Sequence, residues 1–442
     1  MSLFALCSLL ISLAAVASYV NYRYFKLPTT IGVMLVALGG SLTLLVAGPY
    51  AGGFRERAGG LVAQIDFDQL VLHGMLAFLL FAGSIHVNLD DLGREWPTIL
   101  LLAVPGTLLS TAIVGGLTWL ALRMLGLEIP LLHAMLFGAL ISPTDPIAVL
   151  GIMKSVGAPR RLEVQMAGES LFNDGVGVVV FLLLLELSGW AGGGAATASH
   201  SIGAGAVTLL VLKEVGGALL IGLVAGLIAY QMLKRVDNYQ VEVLITVALA
   251  MGLYALADAL HLSAPIAVVV AGLFIGNQGR AFAMTERTRI HVDSFWELID
   301  EILNVVLFLL IGLELLVLPL QSRWLVAGLL VIPIVLLARW SSVAGMIGCL
   351  ALRRRPAKGA ITVLSWGGLR GAISVALALS LPPQDNRALL LTLTYCVVIF
   401  SIVIQGLTIG AVIRRRLPSG TQEPSPPAHV HGDGTRPPAG RP

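Results

Sequence analysis

The stretch QMAGESLFNDGVGVVVF, residues 165–181, decides the fold of this chain. It lies inside a long apolar run, yet it contains Glu169, Ser170, Asn173 and Asp174. In a helix these four side chains share one face, because residues four apart are separated by about one turn. Carboxylates at membrane depth are energetically costly and indicate a functional site. The stretch therefore predicts both a membrane-spanning helix and the location of the site.

The composition of the whole chain agrees with a membrane location. Of its 442 residues, 57% are hydrophobic and 12% are charged, with a formal net charge of +3, whereas soluble domains average about 25% charged residues. The three cysteines lie in apolar runs without a CxxC pair, so neither a disulfide framework nor a metal cluster is expected. We predict an all-α polytopic membrane protein that contacts lipid and binds no nucleic acid.

Apolar runs of about 20 residues, the length of a spanning helix, follow one another along the chain. They predict about thirteen transmembrane helices, at approximately residues 2–20, 28–48, 69–88, 96–122, 130–153, 163–188, 214–233, 240–259, 262–277, 294–318, 324–350, 359–381 and 388–413. Lys and Arg are concentrated in alternate loops, which places the N-terminus outside and the C-terminus in the cytoplasm. The Pro- and Gly-rich residues 417–442 are predicted to form a disordered cytoplasmic tail.

Two of the predicted spans contain helix-breaking residues near their middle. The fifth contains SPTDP at 142–146 and the twelfth contains GGLRG at 367–371. Prolines remove backbone donors and clash with the preceding turn, and glycines weaken a helix around a buried Arg370. Broken backbone at membrane depth is tolerated only where it is buried in protein or lines a cavity. The predicted helix-breaking residues are Pro143, Pro146, Gly367, Gly368 and Gly371.

The two breaks occupy corresponding places in two trios of spans, residues 96–188 and residues 324–413. The trios start on opposite sides of the membrane, which is the pattern of an inverted-topology repeat. In such repeats the binding site lies near the midplane, where the broken helices cross. The half-helix ends there carry partial charges, which Asp145 and Arg370 are suited to compensate.

The polar residues near the breaks suit a small hard cation, which prefers oxygen ligands. Asp174, Ser170, Asp145 and the freed carbonyl of Thr144 can supply them. A carboxylate in a partly dehydrated cavity also binds a proton more readily than it does in water. We therefore expect Asp174 to bind either a sodium ion or a proton, but not both. Exchange of one for the other carries no net charge, and no catalytic residue is expected.

The remaining polar residues of the 165–181 stretch are predicted to support the site rather than to bind the ion. Glu169 is rotated by about 100° from Ser170 on the helix, so it is a poor second ligand. It is a good partner for the buried Arg370, and a structural ion pair between these two is predicted. Asn173 is expected to hold backbone groups at the crossing. Arg339, in the middle of the eleventh span, also needs a partner, which the sequence does not name.

Several acidic residues lie near the start of the tenth predicted span. Glu297, Asp300 and Glu301 fall within its first two turns, and Asn304 lies deeper. Because charged side chains near a helix end can reach the membrane surface, we expect the three carboxylates to form a funnel rather than to bind the ion.

Three motifs together resemble one family. TDP in the fifth span, GESLFNDG in the sixth and GGLRGA in the twelfth look like those of the monovalent cation/proton antiporters, in the NhaP and sodium/hydrogen-exchanger branch. The resemblance covers about residues 1–415. It implies the NhaA-like fold with two crossing discontinuous helices, in which the two trios form a core that moves like an elevator. The remaining spans would form a dimerisation domain.

The resemblance also carries functional expectations. In this branch an Asn-Asp pair, here Asn173-Asp174, replaces an Asp-Asp pair, which implies electroneutral exchange of cytoplasmic sodium or lithium for external protons. It implies a homodimer in the bacterial plasma (inner) membrane, no cofactor and a role in pH homeostasis. The family's ion ligands fall on the four oxygen-donating residues named above. Its structural ion pair falls on Glu169 and Arg370.

Other functions remain as alternatives with different sequence requirements. A potassium/proton antiporter of the same fold differs only in fine details of the cavity. A channel would need a carbonyl filter resembling TVGYG, which does not occur. An intramembrane enzyme is not expected, because HExxH, GxSxG and GxGD are missing from the sequence. A sodium-coupled symporter would need a further substrate pocket that the sequence does not indicate.

Overall fold

A computed structural model describes residues 3–47, 59–60, 69–190, 204–317, 321–351 and 359–416. Across these residues the chain is helical, with one isolated β-bridge as its only extended pairing. The predicted tail, residues 417–442, lies outside the described residues. The all-α prediction is confirmed for the described part of the chain.

The helices are numbered here in chain order. The first eight are α1 (Leu3–Val20), α2 (Thr29–Ala47), α3 (Leu76–Ile85), α4 (Leu89–Leu101), α5 (Thr107–Met124), α6 (Leu131–Ile141), α7 (Ile147–Ser155) and α8 (Arg160–Leu187). Apart from a single three-residue turn at Arg280–Phe282, the others are α9 (Ala204–Leu233), α10 (Tyr239–Ala259), α11 (Ala264–Phe274), α12 (Glu286–Glu314), α13 (Ser322–Ala351), α14 (Ala360–Trp366), α15 (Ala372–Leu379), α16 (Arg387–Phe400) and α17 (Gly406–Arg416).

Wider turns of the π type join or extend several helices. They lie at Asn21–Phe25, Gln69–Met75, Leu102–Gly106, Ile275–Gly279 and Ser401–Gln405. The turn between α4 and α5 contains Pro105, which has no amide hydrogen and therefore removes one backbone hydrogen bond of the helix. The helix continues through this turn, so α4 and α5 together form one apolar segment of 36 residues.

Nine helical segments of the described residues are long and apolar enough to cross a membrane. Helices α3 and α6 are apolar but shorter than a membrane span, and α6 is one half of an interrupted helix. The membrane-spanning character is therefore confirmed, and the total of thirteen spans stays a prediction.

Polar side chains cap the N-terminal ends of three helices. Asn88 accepts hydrogen bonds from the amides of Asp90 and Asp91 at the start of α4, at 2.8 and 3.2 Å. Asn238 does the same for α10. At the start of α12 the hydroxyl of Thr285 accepts from the amide of Thr288 at 3.4 Å. Each bond satisfies an amide that has no partner within its helix.

The buried apolar side chains form two clusters, and the site lies between them. The larger cluster surrounds both interrupted helices and includes Phe137, Phe181 and Leu369. The smaller one includes Phe81 of α3 and Trp296 of α12. Helices α8 and α12 contribute side chains to both clusters, so packing holds them in place along most of their length. Both helices line the cavity described below.

Candidate functional site

The two interrupted helices meet at their breaks. The gap between α6 and α7 spans residues 142–146, and the gap between α14 and α15 spans residues 367–371. The backbone amide of Asp145 donates to the carbonyl of Leu369 at 2.8 Å, as an isolated antiparallel bridge. Each break thus supplies a backbone partner that the other lost when its helix was interrupted. The predicted crossing of two discontinuous helices is confirmed.

Glycines allow the close approach at the second break. A Cβ atom at Gly371 would lie 2.6 Å from the Cβ of Asp145. A Cβ atom at Gly368 would lie 2.6 Å from Nε of Arg339. Real Cβ atoms do not approach other atoms so closely, so any larger residue at either position would displace a charged side chain. The glycines are therefore required by packing as well as by the helix break.

Gly177→Ala in α8 is expected to lower the thermal stability of the protein. Its Cβ would lie 3.0 Å from Cδ of Pro143 and closer still to Cγ, and the rigid proline ring cannot swing away. Overpacking of this kind typically costs about 1–3 kcal/mol. A Gly-to-Ala change in an uncrowded helix instead stabilises by about 0.5–1 kcal/mol. The measurement is the unfolding midpoint of the purified protein in detergent.

The matched control is Gly252→Ala in α10, where no atom lies within 4 Å of the added Cβ. Its midpoint should stay the same or rise. Equal shifts in the two variants would contradict the close packing of α8 against the first break.

A small polar network ties the first break to α8. The hydroxyls of Thr144 and Ser170 share a hydrogen bond of 2.9 Å. Asn173 Nδ2 donates to the Thr144 hydroxyl at 2.9 Å, and Asn173 Oδ1 accepts from the Thr144 amide at 3.4 Å. All three side chains are buried. Both ends of the Asn173 amide are thus engaged by one residue of the break.

The two carboxylates predicted to bind the ion line one cavity, together with Thr144 and Ser170. Asp145 Oδ1 accepts from the amide of Ile147, the first residue of α7, at 3.0 Å, so this carboxylate lies at the positive end of that half-helix. Asp174 lies one turn after Ser170 on the intact α8. The structure therefore brings together all four residues that the sequence groups as oxygen ligands.

The cavity has a volume of about 570 Å³ and is lined by residues of α3, α7, α8, α12 and α15. Its wall includes the exposed Lys154 and Glu297 as well as the buried Thr144 and Ser170. It therefore leads from the protein surface to the point where the two breaks cross.

The structure corrects the predicted pairing of Glu169 with Arg370. Glu169 pairs with Arg339 of α13 instead, through two hydrogen bonds, one of them from Nη2 to Oε2 at 3.0 Å. Arg339 Nη2 also donates to the carbonyl of Leu364 at 2.9 Å. Both charged groups are buried, and the two-pronged geometry compensates each of them.

Arg370 has a different role in the structure. Its Nη1 donates to the carbonyls of Ser142 and Pro143, the latter at 3.0 Å. These carbonyls follow the end of α6, where the break removes their helical partners and where the helix dipole is negative. The side chain is only 2% exposed, so these carbonyls stabilise a charge that is buried at the crossing. Its own amide donates to the Ser401 hydroxyl at 2.9 Å.

The α12 wall of the cavity includes Asp300 and Asn304, which the sequence leaves outside the site. Their spacing places them on one face of α12 with Glu297, so the sequence does contain a periodic signal. The sequence does not show in which direction that face points, because the direction depends on how α12 packs against other helices.

Comparison with known proteins gives a consistent family assignment. The sequence model described as "Sodium/hydrogen exchanger, transmembrane" matches residues 10–415. The Na(+)/H(+) antiporter NhaP of Pseudomonas aeruginosa is 47% identical over 428 residues, which cover 95% of this chain and 98% of that protein. The Na(+)/H(+) antiporter NhaH of Halobacillus aidingensis is 36% identical over 403 residues, covering 89% and 93%.

A solved structure shares the fold. That of the sodium proton antiporter MjNhaP1 from Methanocaldococcus jannaschii matches with a TM-score of 0.74 and 19% sequence identity, covering 94% of this chain and 99% of that one. At this identity the likeness concerns the fold alone, and it agrees with the NhaA-like architecture expected from the motifs.

Proposed function

Because the chain belongs to the sodium/hydrogen exchanger family, we propose that it is an antiporter that exchanges sodium ions for protons across a membrane. Proteins of this family are transporters rather than enzymes, and they need no cofactor because the ions are their substrates. The observation that carries the proposal is that the carboxylates of Asp145 and Asp174 and the hydroxyl-bearing Thr144 and Ser170 line one cavity where two broken helices cross.

The sodium ion is assigned to Asp174, Ser170 and Asp145, with Thr144 completing the oxygen ligands. The support is that all four line one cavity and that the two hydroxyls already lie 2.9 Å apart. Asp145 already accepts a hydrogen bond from the Ile147 amide at the start of α7, whereas Asp174 lies on an intact helix and lines the cavity. We therefore assign to Asp174 the alternation between a bound proton and a bound sodium ion.

The exchange is proposed to be electroneutral, one sodium ion for one proton. Asn173, next to Asp174, is a neutral amide whose two ends are both bonded to Thr144. Asp174 is the one carboxylate of α8 that lines the cavity, and we assign the gain and loss of the proton to it. Its neutral carboxyl form and its sodium carboxylate form carry the same charge through the cycle. Lithium, which also prefers oxygen ligands, is proposed as a second substrate.

Alternating access is proposed to move the two trios as one body against the other helices. Three contacts support such a body, because each joins the first trio to the second: the Asp145–Leu369 bridge, the Glu169–Arg339 pair and the bonds from Arg370 to the end of α6. The cavity lies along the boundary of this body, between α7, α8 and α15 on one side and α3 and α12 on the other.

The chain is a multi-pass membrane protein. We place it in the bacterial plasma membrane with its N-terminus outside and its C-terminus in the cytoplasm, on the distribution of Lys and Arg in the loops. Sodium would then leave the cytoplasm as protons enter, which contributes to pH homeostasis. A homodimer is proposed on the family resemblance, and cross-linking in native membranes tests it.

The decisive experiment uses purified protein in liposomes loaded with a pH-sensitive dye. Sodium or lithium added outside should change the internal pH, and clamping the membrane potential at zero should leave the initial rate unchanged. A rate that depends on the potential would overturn the one-for-one stoichiometry. A response to potassium alone would overturn the sodium assignment in favour of the potassium/proton antiporter.

A further inference from the structure

One face of α12 lines the cavity, and it carries polar residues along its length. Asp293, Glu297, Asp300 and Asn304 all line the cavity, at steps of four, three and four residues. Asp293 forms an ion pair with Arg280, so this arginine is already engaged and does not neutralise the carboxylates deeper along the face. The proposed transport cycle uses none of these four residues.

The deepest of them, Asn304, has a polar atom without a partner. The side chain is 1% exposed, and its Nδ2 donates to the carbonyl of Asp300 at 2.7 Å. Because a carbonyl accepts only from the NH₂ end of an amide, this bond fixes the orientation of the side chain. The other end, Oδ1, has no hydrogen-bond partner among the described residues. A buried acceptor left unpaired costs free energy. Because Asn304 lines the cavity, a ligand that enters it can supply the missing partner.

Asp300 supplies a negative charge beside this acceptor. It lies one helical turn nearer the start of α12, and its side chain lines the same cavity. Exposure falls along the face from Glu297, which is exposed, through Asp300, which is half-buried, to the buried Asn304. A carboxylate and an amide oxygen in this order are ligands for a hard cation that is losing water as it moves inward.

We propose that Asp300 and Asn304 form a second cation-binding station on α12, in the cavity that Asp174 also lines. The inference rests on the proposed function and deepens it. A partly hydrated sodium ion exchanges some of its water ligands for the Asp300 carboxylate and the Asn304 Oδ1, and then passes to Asp174. Because α12 lies outside both trios, the station stays with the other helices and loads the moving body from one side.

A loading station has a defined kinetic consequence. Asp174 still performs the exchange, so the rate at saturating sodium is set elsewhere in the cycle. At low sodium, the station raises the local concentration of the ion next to Asp174. Loss of the station therefore raises the half-saturating sodium concentration and leaves the maximal rate nearly unchanged.

The test compares Asp300→Asn with Glu301→Gln, which removes the neighbouring carboxylate on the same helix. Glu301 is exposed and does not line the cavity, so it is the matched control. In proteoliposomes Asp300→Asn should raise the half-saturating sodium concentration about tenfold, as expected for a lost charged ligand. Glu301→Gln should behave like the wild type. Equal behaviour of the two variants would overturn the station.

A second variant tests the buried Asn304 by a gain of sodium affinity, which a folding defect would not produce. Asn304→Asp keeps the shape of the side chain and adds charge to the station, so the half-saturating sodium concentration should fall below that of the wild type. An unchanged or higher value in a variant that elutes as a folded protein would contradict the role of Oδ1 as an ion ligand.

Direct binding separates this inference from the proposed function. Purified Asp174→Asn protein should still bind radioactive sodium weakly, and adding Asp300→Asn should remove that binding while adding Glu301→Gln should not. Absence of binding to the Asp174→Asn protein would overturn the station even if the wild type exchanges sodium for protons. Absence of exchange in the wild type would instead overturn the proposed function. Sodium binding to the Asp174→Asn protein would still show whether the station exists.

Discussion

Asp174→Asn is expected to abolish sodium-driven proton movement in proteoliposomes completely, while the protein still inserts and folds. The amide has the same size as the carboxylate, so packing in α8 is kept. It cannot take up a proton in exchange for a metal ion, because it is neutral and has no acidic group in this range. The measurement is the change in internal pH on adding sodium, with insertion checked by the elution of the detergent-solubilised protein.

The control for this substitution is Asp258→Asn, which makes the same chemical change near the end of α10. Asp258 is exposed and does not line the cavity, so its removal should leave exchange at the wild-type rate. Sodium-dependent proton movement that survives in the Asp174 variant would remove Asp174 from the proposed role. Loss of exchange in both variants would show that the assay reports general damage to the protein.

Glu169→Leu is expected to destabilise the folded protein by about 3–5 kcal/mol, because it leaves the buried guanidinium of Arg339 without its partner. The unfolding midpoint in detergent should fall sharply, and less folded protein should be recovered. Arg339→Leu should have a similar effect, since it leaves the Glu169 carboxylate buried and unpaired. Removing both partners together should cost much less than the sum of the two single changes.

A double-mutant cycle of this kind also shows which of the two arginines pairs with Glu169. Glu169→Leu combined with Arg370→Leu should show a smaller coupling than Glu169→Leu with Arg339→Leu, because Arg370 donates to the carbonyls of Ser142 and Pro143 rather than to the carboxylate. A large coupling between Glu169 and Arg370, with none to Arg339, would restore the pairing that the sequence predicts. The two coupling energies thus show which arginine pairs with Glu169, separately from the general cost of losing a buried charge.

Much of the fold follows from local effects that can be predicted from neighbouring residues in the sequence. The prolines of the 142–146 segment break the fifth span because each lacks an amide hydrogen and forces its predecessor out of the helix. The glycines of the 367–371 segment allow the second break and the close approach there. Helical spacing alone places Ser170 and Asp174 of α8 on one face. Each of these effects acts within one or two turns, so neighbouring residues are sufficient to predict it.

The partner of Glu169 depends on tertiary structure. Arg339 and Arg370 are both arginines in apolar spans, far from Glu169 along the chain, and local patterns do not distinguish them. The packing of α13 against the second break brings Arg339 to the carboxylate, while the crossing directs Arg370 to the end of α6. A buried charge must find a partner, but which one it finds depends on how helices distant in sequence pack together.

The sequence by itself determined the class of protein, the positions of both breaks and the face of α8 that carries Ser170 and Asp174, because hydropathy, proline and helical period act locally. Only the tertiary structure decided which buried charges pair and that Asp300 and Asn304 turn towards the cavity. A helix of period 3.6 specifies which residues share a face, but the direction of that face is set by contacts with helices elsewhere in the chain.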